Sequence, residues 1–406
     1  MPLAPVDDKG TQLFFEDSGP PGSNDYTTAV LIHGAYFNSG IFRPMIPYAK
    51  ENNLRLVLLN QRDFRGSTPF SPTELTMLYS PDQHQDFVQY RIAELGSFLE
   101  WFIKEQKVPV PTLQEGKRYG GIAVIAWSAA NALAVPFLAS FDTVSARIPE
   151  PVRAYLHSAV LYGEIPSLSS TSSVPHKSAD PPVYVTGAQP VTQEEYYTPI
   201  LDPIYSAEEK TLRFPLWVTG YYTHSSELFD NLPVATQNDL PSRKQFFSRI
   251  QSNPDEEPTP TAARIPVTTL EEIAEPEGLM RSHLPISAIS ASIFQDAFSK
   301  ITSRSHVDGA SSCSQVNIAI VLCTKSVGYC VCTGMEIQRI GLRSQVECGD
   351  RTTSDSGKLS LHIWDQMNHC VGNISQTMGY TCLRSESSLY SRTGTFRKTS
   401  QGSSRK

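Results

Sequence analysis

The stretch that most restricts what this chain can fold into is residues 121–138, GIAVIAWSAANALAVPFL. Residues 122–126 are a short apolar run with β-branched members, introduced by Gly120 and Gly121. That length and those flanks predict a buried strand. From Ala129 the composition turns to Ala, Asn and Leu, with apolar residues at helical spacing. Ser128 stands where the period changes. A serine on such an elbow is lifted clear of the sheet, with its hydroxyl presented at the N-terminus of the following helix. So tight a turn requires small residues two before and two after the serine, and Ala126 and Ala130 meet that need.

AWSAAN, residues 126–131, resembles the nucleophile elbow of the α/β-hydrolase superfamily, whose ideal form is G-x-S-x-G. Three more stretches share the resemblance, in the order the superfamily uses. LIHGAYFNSGIF (31–42) is similar to the loop after the third strand, which begins His-Gly and supplies an oxyanion-hole amide. LLNQRDFRGSTPF (58–70) is similar to the loop with the Asp-x-Arg-Gly signature, with Thr68 where a second glycine is usual. LHIWDQMNHC (361–370) resembles the last strand and the Asn-His that carries the catalytic histidine. The wording of the elbow and of the RDFRGSTPF loop looks most like fungal small-molecule hydrolases. The resemblance covers residues 28–165 and roughly 315–370. It implies an α/β class: an α/β-hydrolase fold, with a mostly parallel central sheet flanked by helices, an inserted helical cap and a poorly ordered C-terminal tail.

Other segments fit that plan. Residues 11–17, 28–32 and 54–59 read as strands, with AVLI (29–32) an unbroken apolar run suited to the centre of a parallel sheet and 54–59 the next buried strand. Between residues 80 and 106, Phe87, Ile92, Leu95, Phe98, Leu99 and Phe102 recur on one helical face, a crossover back to the elbow strand. Residues 152–165 read as the next strand, irregular at its start, with Glu164 at its mouth. Beyond Pro166 the chain becomes rich in Ser, Thr and Pro, and short helical pieces then alternate with loops as far as residue 301. The resemblance places a cap here. Tyr196, Tyr197, Phe214, Trp217, Tyr221 and Tyr222 are candidates either for its core or for the wall of an apolar pocket. Residues 316–324 and 359–363 predict the last two strands. The expected organisation is a core in two pieces, 1–165 and 306–382, a cap over 166–305, and a basic, Ser-rich tail over 383–406.

A net charge of −7 argues against nucleic acid as a partner. No apolar run reaches the length of a membrane span. The opening residues MPLAPVDDKG lack the apolar segment of a secretory leader, which predicts a cytoplasmic protein. All seven cysteines fall between Cys313 and Cys382 without the paired spacing of a zinc ribbon, so incidental thiols are favoured over a metal module or a disulfide framework. No phosphate-binding loop or dinucleotide fingerprint occurs, and no cofactor or metal is expected.

The resemblance assigns the chemistry residue by residue. Ser128 is the nucleophile and His369 the base. The amides of Ala129 and of Ala35 or Tyr36 form the oxyanion hole. The superfamily often places its acid just beyond the strand at 316–324, but Thr324, Lys325, Ser326 and Val327 include none. That moves the acid to Glu164, with Asp350 and Asp355 as alternatives. His33 reads as a packing histidine, and Asp63 with Arg65 as an ion pair internal to a turn. A serine at the elbow, rather than a carboxylate, favours acyl transfer, so the expected activity is carboxylesterase-like, on a small apolar ester, thioester or amide. The alternative is a non-catalytic relative that keeps the pocket to bind a ligand or partner.

Overall fold

The computed structural model describes residues 2–114, 117–141, 148–162, 197–200, 202–228, 242–303, 316–323, 325–328, 330–333 and 359–364. Eight strands form one sheet: β1 (Leu3–Pro5), β2 (Gln12–Asp17), β3 (Thr27–Ile32), β4 (Leu54–Leu59), β5 (Ile122–Trp127), β6 (Leu156–Tyr162), β7 (Asn317–Cys323) and β8 (Leu359–Trp364). Their order across the sheet is β1-β2-β4-β3-β5-β6-β7-β8. β2 runs antiparallel to both β1 and β4, and every other pairing is parallel.

The central strands are buried along almost their whole length and mostly apolar because both faces of the sheet are covered. Alternate residues serve opposite layers. Val30, Ile32, Val57, Leu59, Val124 and Leu161 join one buried cluster, while Ala29, Leu31, Leu56, Leu58, Ile125 and Val160 join another. Burying each such Val, Leu or Ile side chain is worth about 1.5–3 kcal/mol. The segment read as a strand over 152–165 begins instead with a helical turn, Glu150–Tyr155, and only then extends as β6. The irregular start is a register shift opposite Ile122 and Ala123. Gly121 permits it: at φ +66° its α carbon lies so near the neighbouring chain that a β carbon would stand 2.6 Å from the Tyr155 carbonyl oxygen.

After β4 come α1 (Pro72–Tyr79), opened by a capping box between Ser71 and Glu74, and α2 (His84–Glu105). The predicted helix over 80–106 is therefore α2, preceded by a 3-10 turn at Pro81–Gln83. Its apolar stripe, Phe87, Ile92, Leu95, Phe98, Leu99 and Phe102, is buried against the sheet, with Phe15 set edge-on to Phe98 and Phe102. α3 (Asn131–Ala139) follows the elbow and is buried along its whole length.

The described part of the insertion is helical. It includes α4 (Ala207–Val218), α5 (Val267–Ile273) and α6 (Ala291–Ser303). Phe214, Trp217 and Tyr222 pack with Phe246, Ile273 and Leu279 into a separate cluster over Tyr36 and Phe37, so these aromatics form the core of that layer. α6 behaves differently. Phe294, Phe298 and Ile301 join the sheet cluster, and α6 lies against α3. Val327, Cys330 and Cys332, just past β7, pack into the insertion's cluster. Among the described residues, no helix is long and apolar enough to cross a membrane.

Candidate functional site

The centre of the site is the junction of β5 and α3. β5 ends at Trp127, a 3-10 turn runs Ser128–Ala130, and α3 begins at Asn131. Ser128 has φ +55°, a left-handed conformation that costs a non-glycine residue about 1–2 kcal/mol. Such strain at a buried serine persists only where the surrounding structure over-determines it. The surroundings impose it. The Asn131 side-chain amide donates to the Ser128 carbonyl at 2.9 Å, while Ala126 and Ala130 are wholly buried on either side. The Trp127 ring stacks on Phe37 and meets Phe42 edge-on.

β3 lies beside β5 with Ile32 opposite Ala126, so the loops that follow the two strands leave the sheet side by side. The first residues of the β3 loop are His33 and Gly34. A β carbon on Gly34 would stand 2.7 Å from the Ser128 Cβ and 3.1 Å from its Oγ. Only glycine lets the loop approach this closely. Next comes a three-residue turn centred on Tyr36. The Phe37 N–H donates to the Ala35 carbonyl at 2.9 Å, and Tyr36 has φ +71°. The left-handed version of this turn is the rare, strained one. Because the Phe37 amide closes the turn, the amides of Ala35 and Tyr36 are the ones whose orientation the loop sets.

His33 fixes one of them. Its Nδ1–H donates to the Gly34 carbonyl at 2.8 Å, and its Nε2 accepts the Gln61 N–H at 2.9 Å. Those two partners require the neutral ring. Burial holds its pKa down to about 4, helped by the Arg91 charge. The Gly34 carbonyl and the Ala35 N–H belong to one planar trans peptide. Holding the carbonyl toward His33 therefore turns the Ala35 N–H the other way. His33 is the packing histidine the sequence suggested, and it also orients this peptide.

This is the α/β-hydrolase fold. The strand order, the antiparallel β2, and an elbow serine between β5 and α3 beside a His-Gly loop after β3 define it together. No family model matches this chain, and no curated protein does. Solved structures similar to it include an esterase from Exiguobacterium antarcticum, at 12% identity and TM-score 0.47, covering 94% of this chain and 99% of that one. A bromoperoxidase from Bacillus anthracis, at 12% identity and TM-score 0.44, covers 94% and 96%. Epoxide Hydrolase A from Mycobacterium thermoresistibile, also at 12% and 0.44, covers 94% and 97%. Likenesses this distant say nothing about chemistry. The strand order and the elbow carry the fold.

Of the predicted site residues, Ser128, Ala129, Ala35 and Tyr36 fall at this junction. Glu164, His369, Asp350 and Asp355 lie outside the described residues, as do Tyr196 and the segment from 365 onward. β6 ends at Tyr162, paired with Trp127, and β8 ends at Trp364, paired with Cys323. The described residues just past β7 contain no carboxylate. There the Lys325 carbonyl accepts the Tyr222 N–H, and the Ser326 carbonyl accepts the His224 Nε2–H at 2.7 Å. Among the described residues, no group of three or more His, Cys, Asp and Glu is placed to hold a metal ion.

The reading of Asp63 and Arg65 as an internal pair is corrected. Asp63, at φ +67°, accepts the Phe70 N–H and pairs with Arg281, whereas Arg65 pairs with Glu275 at 3.4 Å. Both partners belong to the insertion, more than 200 residues away, where no local pattern could have announced them. Thr68, at the place of a usual glycine, has a role of its own in the fold: its N–H donates to the Gln12 carbonyl and its Oγ1 accepts the Gln12 N–H. Behind this loop lies a buried ionic network. Arg62 pairs with Glu74 and Glu94, and Glu94 pairs with Arg91. Arg62 draws the Glu74 carboxyl down to about 2 against the opposing effect of burial.

His283, from the insertion, stacks on His33 at 6.0 Å, with Phe64 against both rings. It lines a cavity of about 20 Å³ with Gln61, Arg91, Ala129, Ala132 and Leu133. That volume suits roughly one water molecule. Burial and the nearby His33 and Arg91 hold the His283 pKa far below the ordinary range.

Proposed function

We propose that this chain is a serine hydrolase that cleaves a small apolar ester, thioester or amide through an acyl-enzyme. Ser128 is the nucleophile, His369 the base and Glu164 the acid that orients it, with Asp350 and Asp355 the alternatives for that acid. The oxyanion hole comprises the Ala129 amide and that of Ala35 or Tyr36. The observation that supports this most is the strained Ser128, at φ +55° on the elbow, with the Gly34 backbone against it. A small polar residue that merely closes a turn does not require a glycine from another loop packed on its β carbon.

In this mechanism the Ser128 Oγ bonds to the carbonyl carbon while its proton passes to the His369 imidazole. The amides take up the developing oxyanion charge, each worth about 3 kcal/mol. The imidazolium returns the proton to the departing alcohol, thiol or amine. Water, deprotonated by the same imidazole, then attacks the acyl-enzyme and frees the acid. A serine nucleophile supports acyl transfer over the alkyl-ester chemistry that a carboxylate at the elbow would perform.

The test is a panel of short p-nitrophenyl esters, thioesters and anilides with the wild-type chain, Ser128→Ala and His369→Ala. Hydrolysis by wild type alone supports the assignment. The absence of a carboxylate at 325–328 favours a second reading, a non-catalytic relative that binds a ligand in the same pocket. Under that reading the folded wild type turns over nothing on the panel.

A further inference from the structure

The β3 loop that carries Ala35 and Tyr36 does not stand alone. Its outer edge is paired with residues 272–275 of the insertion, like a short antiparallel ribbon. Phe37 and Ala274 form the bridge, the Asn38 N–H donates to the Ile273 carbonyl at 2.8 Å, and the Glu275 N–H donates to the Tyr36 carbonyl at 2.7 Å. The Asn38 side-chain amide donates to the Glu272 carbonyl and to the Glu275 carboxylate, each at 3.0 Å. The same Glu275 oxygen accepts the Arg65 N–H at 3.3 Å and faces its Nε at 3.4 Å. Tyr36 is held from its other end as well, since its hydroxyl donates to the Thr211 carbonyl at 3.1 Å.

Glu275 is thus where three segments meet. Its backbone grips the carbonyl of the strained residue, and its carboxylate ties the β3 loop at Asn38 to the β4 loop at Arg65. A left-handed Tyr36 is not the relaxed state of a free loop. Without these partners the turn would open toward ordinary backbone angles and carry the Ala35 and Tyr36 amides with it.

We infer that Glu275 is a positioning residue for the oxyanion hole, so that the hole takes its working shape only when the insertion is docked on the β3 loop. This rests on the serine hydrolase reading and deepens it. The insertion then does more than cover the pocket: it completes the catalytic geometry, as closing elements do in enzymes that assemble their site on binding.

The experiment compares the rate at which a fluorophosphonate labels Ser128 in wild type, Glu275→Ala, Glu275→Gln and Glu272→Ala. It adds ester kinetics and hydrogen exchange of the peptide holding residues 35–38. Glutamine keeps the oxygen that accepts from Asn38 and Arg65; alanine does not. Glu272→Ala removes the Arg43 ion pair on the same ribbon without touching the Glu275 bonds, and so controls for general loosening.

The expected result is a fall of 10- to 100-fold in labelling and in kcat for Glu275→Ala, the scale of a misplaced catalytic group, with KM nearly unchanged. Exchange at 35–38 rises in that variant, while Glu275→Gln and Glu272→Ala stay within about threefold of wild type. If wild type labels and Glu275→Ala labels equally fast, the positioning role is overturned and the hydrolase reading stands. If wild type does not label at all, both fall. Should Glu275→Ala fail to fold, Arg65→Ala and Asn38→Ala decide the matter. They cut the same tie from the other side and are expected to lower kcat in the same way; wild-type kcat in both overturns the role.

Discussion

Gly34 and Ser128 touch without room for a methyl group between them: a β carbon on Gly34 would lie 2.7 Å from the Ser128 β carbon. Because the clash is with a neighbouring Cβ on a tight elbow, one of the two loops must give way. Gly34→Ala is therefore expected to lower ester turnover by about 100-fold, the cost of shifting reacting groups by roughly an ångström. It is also expected to lower stability by about 1–3 kcal/mol through overpacking. Steady-state kinetics and urea unfolding on the same preparation read both.

Strain at the elbow has its own signature. With φ +55° at Ser128, Ser128→Gly relieves the left-handed conformation, whereas Ser128→Ala keeps it and loses the same hydroxyl. Relief of about 1–2 kcal/mol exceeds the entropic cost of glycine, about 0.5–1 kcal/mol. Ser128→Gly should therefore unfold at higher urea than Ser128→Ala. An elbow without stored strain would reverse that order.

The buried histidines predict a dependence of stability on acid. Burial holds His33 and His157 down to about 4, against 6.5 for an exposed imidazole, with Arg91 adding to the effect at His33 and Arg118 at His157. Protons therefore bind the unfolded chain first as pH falls. The stabilisation is complete above about 6.5 and is lost progressively down to about 4, of order 3 kcal/mol for each ring. Urea titrations at several pH values between 7 and 4 should show this slope. His157→Gln, which keeps a donor for the Gly120 carbonyl, should flatten it.

Glu94 sits between two buried guanidinium groups, Arg62 and Arg91. Glu94→Ala takes the carboxylate from the buried Arg91 and leaves Arg62 with Glu74 alone, a loss of about 3–5 kcal/mol. Glu94→Gln keeps one acceptor oxygen, enough for one of the two guanidinium groups, and should cost less than alanine. Equal losses in the two variants, read by urea unfolding, would show that packing at this position, rather than charge, is what matters.

Much of this architecture is written locally. The apolar runs that become β3, β4 and β5, the stripe along α2 and the strand-to-helix switch at Ser128 are patterns of a few residues, and each sits where the sequence suggests. The candidate site is legible where it lies on those elements: Ser128 and Ala129 on the elbow, and Ala35 and Tyr36 after a His-Gly, fall at one junction. What the sequence could not show is how the two loops are held. Glu275 on Tyr36, Asn38 and Arg65, and Arg281 on Asp63, join residues more than 200 positions apart, and an exposed-looking Glu or Arg in a helical insertion carries no mark of its partner. The glycine departures share that cause. Thr68 stands in place of a glycine because it pairs with Gln12 on β2, a relationship that exists only once the sheet has formed.

Everything proposed for the chemistry depends on Ser128 being an activated nucleophile. Covalent labelling of the intact chain by a fluorophosphonate, with the modified peptide mapped by mass spectrometry, asks that question of the serine itself. One adduct per chain is expected, on Ser128, formed by wild type and by neither Ser128→Ala nor His369→Ala. A folded wild-type chain that takes up no label, or takes it on a different serine with Ser128→Ala labelled as fast, would remove Ser128 from the chemistry.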